Sequence, residues 1–407
     1  MTYLFLPVEV KVRELDAKML LAYYAAQEGF RVVIGEQTAV ERAALELPQG
    51  IFFAKGYPDR YRSRVVKKMK AKGHRLIELD EEGLIMSDRN HYLEDRMNKS
   101  STKQFDQIYC WGTDQKELIE SHIPNQELIL TGNPRFDLLK EKFRPLYKQR
   151  VKSIQTSYGS FILLNTRFSI YNPKKKNNQN EHEQYDYMKQ LFQHFIKLTE
   201  AIAREIPYQT IIIRPHPSEN LHTYQKRFES YDNIVIAPFG NVIDWILASQ
   251  VIIHNGCTTG LEAFLLNKPS ITYMPIEDDR YDVFLPNQFS EKATTIDSVL
   301  DAIQNIETIH PTRKQHNILD HYVASWSAGQ AYEKIINALK QLNVQPKQSS
   351  SSNTLQIKKS KKAKYRFSRL SEEDLKQFFK KINQIEKKSS SFQIKPLGQD
   401  VYEITLR

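Results

Sequence analysis

Residues 211–219 read IIIRPHPSE, and residues 251–273 read VIIHNGCTTGLEAFLLNKPSITY. Two short β-branched runs, Ile211–Ile213 and Val251–Ile253, each end abruptly in polar residues. The first is followed by Arg214 and His216. The second is followed by Gly256-Cys257-Thr258-Thr259-Gly260, which opens into a helical run. A buried strand, a polar loop and then a helix start is how an α/β sheet presents chemistry.

The same alternation extends outward from this stretch. In the first half, strands are expected at Tyr3–Leu6, Arg31–Ile34, Ile51–Ala54, Leu76–Leu79, Gln107–Cys110 and Leu128–Leu130. Glu9–Arg13 reads as a polar loop, and Leu15–Ala26 and Asp59–Lys72 as helices stopped by Gly29 and Gly73. Lys140–Gln155 is charged and weakly periodic and reads as a crossing. The pattern restarts at Phe161–Leu164, and Tyr171–Glu183 reads as a polar insertion. The expected fold is α/β, with two Rossmann-like doubly wound parallel-sheet domains facing a cleft. The expected divisions are 1–145, 146–344, a basic linker at 345–366, and a small helix and hairpin extension at 367–407.

Composition narrows the function. The chain has 407 residues, 40% hydrophobic and 26% charged, with a net charge of +10. Between Lys347 and Lys388 there are 13 Lys/Arg against four acids, so the remainder is nearly neutral. A nucleic-acid-binding core needs a basic face on the fold itself, so nucleic acid is not an expected partner. Two distant cysteines, Cys110 and Cys257, make neither a disulfide framework nor a metal motif. Pro7 and Glu9 interrupt the first apolar run, which reads as a strand and not a signal peptide. No run of 18 apolar residues occurs, so a cytoplasmic location is expected.

Several side chains could carry chemistry. Backbone N–H groups at the start of the second helix, with the hydroxyls of Thr258 and Thr259, suit phosphate oxygens, and Gly256 and Gly260 allow close approach. Thr259 and Glu262 also fit a capping box, which would make both structural; Glu262 could instead bind a ribose diol. Pro215 and Pro217 hold His216 rigidly, next to Arg214, where an imidazole can assist a departing phosphate. Asp80-Glu81-Glu82-Gly83 puts three carboxylates at a strand end in the other half. Crowding would raise the pKa of one of them and suit it as a general base; the alternative is a solvated acidic turn. Asn165 and Arg167 follow the first strand of the second half, and Arg167 binds either phosphate or a carboxylate. Lys11, Arg13 and Arg135 are candidates for contacting an anionic acceptor.

Three short motifs resemble a known group. Bacterial CMP-sugar transferases of the GT-B type (sialyltransferases, polysialyltransferases and capsular Kdo transferases) carry a D/E-D/E-G motif in one domain, with an H-P motif and a Ser/Thr pair in the other. Here these are Glu81-Glu82-Gly83, His216-Pro217 and Thr258-Thr259, in that order. Segments LPVEVKVREL, TGNPRFDLL and GCTTGLEAFLLNKPSITY extend the resemblance to bacterial surface-carbohydrate biosynthesis proteins over about residues 3–275. Many relatives have Ser-Ser or Ser-Thr where this chain has Thr-Thr, but a hydroxyl survives.

The resemblance implies a GT-B fold and transfer of an acidic sugar, Kdo or sialic-acid-like, from a CMP donor. The acceptor would be a surface glycan, such as a capsule, or its lipid-linked primer. It implies Glu81, or with less weight Glu82, as base, and His216 assisting departure of the nucleotide. Thr258 and Thr259 would hold the phosphate and Glu262 the ribose, with neither metal nor cofactor beyond the donor. RPHP and the Thr loop are also similar to CDP-glycerol glycerophosphotransferases, which keeps a CDP-polyol phosphotransferase open. A non-catalytic nucleotide-sugar-binding component of a glycan assembly complex is a third possibility. Lys358–Arg369 could hold the chain at the inner membrane leaflet.

Overall fold

The computed structural model describes residues 1–86, 88–174, 183–344, 367 and 369–407. It divides into two compact units, Met1–Leu146 with Asn317–Arg407, and Tyr147–His316.

In the first unit the strands are β1 (Tyr3–Val8), β2 (Arg31–Glu36), β3 (Gly50–Ala54), β4 (Arg75–Leu79), β5 (Gln107–Cys110) and β6 (Leu128–Leu130). They pair in parallel in the order β2-β1-β3-β4-β5-β6. All six residues of β1 are buried, as a strand covered on both faces requires. Strand β1 runs through Pro7, which lies beyond the stretch, Tyr3–Phe5, that pairs with β3.

The second unit contains β7 (Phe161–Asn165), β8 (Thr210–Arg214), β9 (Ile234–Ile236), β10 (Val251–His254), β11 (Ser270–Tyr273) and β12 (Glu291–Ala293). Their order is β12-β11-β10-β7-β8-β9, all parallel. Ile211, Ile212, Ile213, Val251, Ile252 and Ile253 are at most 1% exposed. At roughly 1.5–3 kcal/mol for each fully buried Val or Ile, these two runs anchor the unit. The expectation of two Rossmann-like parallel sheets is met.

Three expectations need correction. Lys11–Gln27 is one helix, so Lys11 and Arg13 sit on its first turn and not in a loop. Asn317–Leu342, placed by the sequence in a 146–344 domain, belongs to the first unit. There Asp137 accepts from the N–H groups of Ala331 and Tyr332, both at 2.9 Å.

The C-terminal segment is not a separate extension. Strands β13 (Phe392–Gly398) and β14 (Val401–Leu406) form a hairpin, and β14 pairs antiparallel with β2. The preceding helix, Glu372–Glu386, buries Leu375, Phe378, Phe379 and Ile382. Its Asn383 accepts from Tyr23 Oη at 2.6 Å. The hairpin thus covers an edge that would otherwise be open to pairing. The whole linker at 345–366 and most of the basic run Lys358–Arg369 lie outside the described residues, as does the middle of the insertion, 175–182. No described helix is long and apolar enough to cross a membrane.

Candidate functional site

In an open α/β sheet, ligands bind beyond the carboxyl ends of the strands, where neighbouring strands send their connections to opposite sides. That point lies between β7 and β10 in the second unit, and between β1 and β3 in the first.

In the second unit the β7 end carries Asn165, Thr166 and Arg167, and the β10 end carries Asn255 and Gly256. Arg167 bridges the two. Its Nε donates to Asn255 O at 2.7 Å, and its Nη2 to Asn255 Oδ1 at 3.1 Å and Tyr281 O at 3.3 Å. All of these acceptors are neutral. Among the described residues no carboxylate lies within ion-pair distance of Arg167, and burial lowers its pKa. Asp282 lies near enough to offset part of its charge but forms no ion pair with it, so this half-buried guanidinium can still take an anion.

The loop after β8 is fastened to the same end. His216 N–H donates to Glu219 Oε1 at 3.0 Å, and Thr166 Oγ1 donates to that oxygen at 2.7 Å. Tyr224 Oη adds a third bond, to Glu219 Oε2. Glu219, 1% exposed, therefore ties the His216 loop to the β7 loop. His216 itself is exposed. Its Nδ1 accepts from Ser218 N–H at 3.3 Å, which leaves Nε2 to carry the proton of the neutral ring.

The helix after β10 is Thr258–Leu265, capped by Cys257 without a side-chain bond. It starts two residues earlier than the capping box requires, so that structural reading of Thr259 fails. Thr259 is buried, and apart from the Cys257 thiol beside it its Oγ1 has no hydrogen-bond partner among the described residues. Asn165 Nδ2 has none among them either. Glu262 is buried one turn further in.

The glycines divide. Gly256 has φ of +57°, and its N–H is already taken by Asn287 Oδ1 at 2.8 Å, so it shapes the turn without offering that donor. A Cβ on Gly260 would sit 2.2 Å from His254 Nε2. Gly260 thus makes room for a buried histidine and not for a ligand. Burial, with Arg167 nearby, pushes that His254 down to about 3. Arg214 is also committed: its guanidinium donates to the carbonyls of Ala237 (3.1 Å) and Gly240 (2.6 Å) and to that of Phe239. Burial lowers it to about 10. It holds the loop after β9 and contributes charge rather than a free fork.

The first unit is built differently at its own crossing point. The expected crowd of three carboxylates is dispersed, because successive side chains of the turn after β4 meet different cations. Asp80 accepts from Arg96 at 2.8 Å. Glu81 pairs with Lys18 at 3.1 Å, both side chains 4% exposed. Glu82, 45% exposed, pairs with Arg13 at 2.6 Å. Across the crossing point Lys55 reaches Glu9 at 2.7 Å and Glu14 at 3.4 Å.

Burial opposes the charge of Glu81, but Lys18, Lys55 and Arg13 outweigh it and hold its carboxyl below the usual range. The expected raised carboxyl is therefore not Glu81; within the turn it is Asp80, raised by burial and, to a lesser degree, by the charge of Glu82. Burial also raises Glu14; Lys55 offsets part of that, and the charge of Glu81 adds to it. Lys11 does not reach outward as an acceptor contact; its Nζ donates to Arg369 O at 2.6 Å and lies 3.8 Å from Asp374. Arg135 is half-buried on the short helix Pro134–Asp137, capped by Asn133. Sequence reasoning missed Glu219, Asn255 and Lys18. A polar residue directly after a strand marks Asn255, but nothing local marks the other two.

No family model matches the chain, and no curated protein sequence matches it. Solved structures of similar fold do exist. UDP-GlcNAc 2-epimerase from Neisseria meningitidis, bound to UDP-GlcNAc, is 13% identical with a TM-score of 0.52, covering 84% of this chain and 100% of that one. S. aureus MnaA, in a co-structure with UDP, is 15% identical with a TM-score of 0.54, covering 84% and 96%. The wall teichoic acid polymerase TagF is 12% identical with a TM-score of 0.54, covering 84% and 88%. At these identities the likeness speaks for the fold, which is GT-B-like.

Proposed function

We propose that this chain is a GT-B transferase that takes a cytidine-nucleotide-activated donor and passes its group to a bacterial surface glycan or lipid-linked acceptor. The first choice of donor is a CMP-linked acidic sugar, Kdo or sialic-acid-like, with no metal or cofactor beyond the donor itself. The observation that carries the reading is Arg167, a half-buried cation at the crossing point of the second sheet whose described hydrogen-bond partners are all neutral.

In this reading the donor phosphate supplies the missing anion. It lies against Arg167 and the start of the Thr258–Leu265 helix, where Thr259 Oγ1 gains an oxygen partner. Glu262 takes the ribose. His216, with Nε2–H outward, donates to the phosphate as it departs, neutralising charge that builds up as the bond to the transferred group breaks. The base that removes the acceptor proton is a carboxylate of the first unit. The pairing of Glu81 with Lys18 moves that role towards Glu82, which is more exposed and bound to a single cation.

A CDP-polyol phosphotransferase is the second reading, and the lowered basicity of Glu81 favours it. Transfer at phosphorus could use His216 without a carboxylate base. TagF, which shares the fold, is named as a wall teichoic acid polymerase, and a histidine-to-asparagine variant of it was soaked with CDPG. Both readings release CMP. They separate by ³¹P NMR of the product, which carries a new phosphodiester only in the second.

A further inference from the structure

The outer face of the second unit holds an open groove of about 650 Å³ between the helices Glu183–Glu205 and Leu221–Arg227. That volume falls in the range of small-molecule sites. Phe192 and Ile196, one helical turn apart, make an apolar floor. Lys197 stands on one side, and His222 and Lys226 on the other, all three exposed. Arg227 also lines the groove but is paired with Glu200. Neither Lys197 nor Lys226 has an acidic partner among the described residues. No carboxylate lines the groove.

We propose that this groove binds a phosphate monoester carried on a hydrocarbon chain, an alkyl or isoprenoid lipid phosphate. Gln193 and Thr223 also line the groove, but the Phe192 and Ile196 floor offers no hydrogen-bond partners, so sugar hydroxyls laid on it would go unpaired whereas hydrocarbon gains from the contact. The two flanking lysines supply opposite charge for the headgroup, and His222 a ring N–H. The groove is joined to the candidate site: the Phe192 ring lies 5.7 Å from that of Tyr224, whose hydroxyl binds Glu219, which in turn holds the His216 backbone. The inference borrows from the proposed function only for its role, as the place where a lipid-linked acceptor is held; binding itself stands apart from nucleotide chemistry.

Titration calorimetry on the full chain tests it with butyl, hexyl and octyl phosphate, inorganic phosphate and octyltrimethylammonium. Octyl phosphate should bind, and each added methylene should strengthen binding about three- to fourfold. Inorganic phosphate and the cationic amphiphile should bind at least tenfold more weakly than octyl phosphate. K197E/K226E should weaken octyl phosphate at least tenfold, and K197Q/K226Q by a smaller factor, with unchanged circular dichroism. The basic C-terminal run is intact in both variants, so it cannot account for a loss. Equal binding by K197E/K226E and the unaltered chain would overturn the proposal, as would inorganic phosphate binding as tightly as octyl phosphate, or no binding of octyl phosphate at all. Affinity for cytidine nucleotides, measured in parallel, should not change in K197E/K226E; its absence from the unaltered chain would count against the donor reading alone.

Discussion

Both sheets have a crossing point, and the chain treats the two oppositely. In the first unit, between β1 and β3, each cation meets a carboxylate: Lys55 with Glu9 and Glu14, Lys18 with Glu81, Arg13 with Glu82. In the second, between β7 and β10, Arg167 meets only carbonyl and amide oxygens. One architecture therefore supplies a self-neutralised end and an end with positive charge in reserve. A buried ion pair is a weak source of net stability but an expensive thing to break, whereas a half-buried cation with no ion-pair partner has charge to offer an anionic ligand.

The largest expected effect comes from breaking the neutral end. Lys18→Met should cost about 3–5 kcal/mol in denaturant unfolding, because Glu81 is left buried without that partner. Adding Glu81→Leu should restore most of the loss. A single variant as stable as the original chain would show that the pair is not formed.

His216→Ala acts on the other unit. On the proposed role of the imidazole at the leaving phosphate, it should lower kcat about 100- to 1,000-fold while nucleotide affinity changes less than about threefold. An equal loss in affinity would make it a binding residue instead.

Acid should separate the two units. The folded value of His254, about 3, lies below its unfolded 6.5, so its burial contributes stability that is whole above pH 6.5 and drains as pH falls toward 3. The second unit should lose about 2 kcal/mol from this group between pH 7 and 5. Glu81 is also lowered, from 4.5, so its contribution is intact above pH 4.5 and fades only below it. Hydrogen exchange at pH 7 and 5 should show protection falling in β7–β12 with no loss attributable to Glu81; equal protection at both pH values would place His254 outside a closed core.

The smallest effect is Thr259→Val. It removes a buried hydroxyl that has no described partner apart from the Cys257 thiol, so stability should hold or rise by up to about 1 kcal/mol. Nucleotide affinity should still fall about three- to tenfold. Lost stability would return the residue to a structural role.

Much of the fold was legible because it is written locally. Asp59–Lys72, Gln107–Cys110 and Leu128–Leu130 coincide with the elements read from periodicity and glycine stops. Lys11–Val12–Arg13 was missed as a helix start because its first turn is polar and has no side-chain cap. The docking of the hairpin on β2, and the return of Asn317–Leu342 to the first unit, depend on contacts between segments far apart in the chain. No period or turn residue records these.

The site shows the same split. Residue types after strands singled out Arg167, His216 and Thr259 as candidates. The directions of the three carboxylates at Asp80–Glu82, and hence the fate of Glu81, depend on Lys18 and Lys55 arriving from other elements.

The central proposal is that Arg167, whose charge no ion pair takes up, is part of a nucleotide phosphate site. Its most direct test is calorimetric binding of CMP, CDP, UDP and GDP to the chain and to Arg167→Met. The account predicts preference for a cytidine nucleotide and a loss of about 10- to 100-fold in the variant, with the fold retained. Unchanged affinity in Arg167→Met, or no nucleotide bound by the original chain, would contradict it.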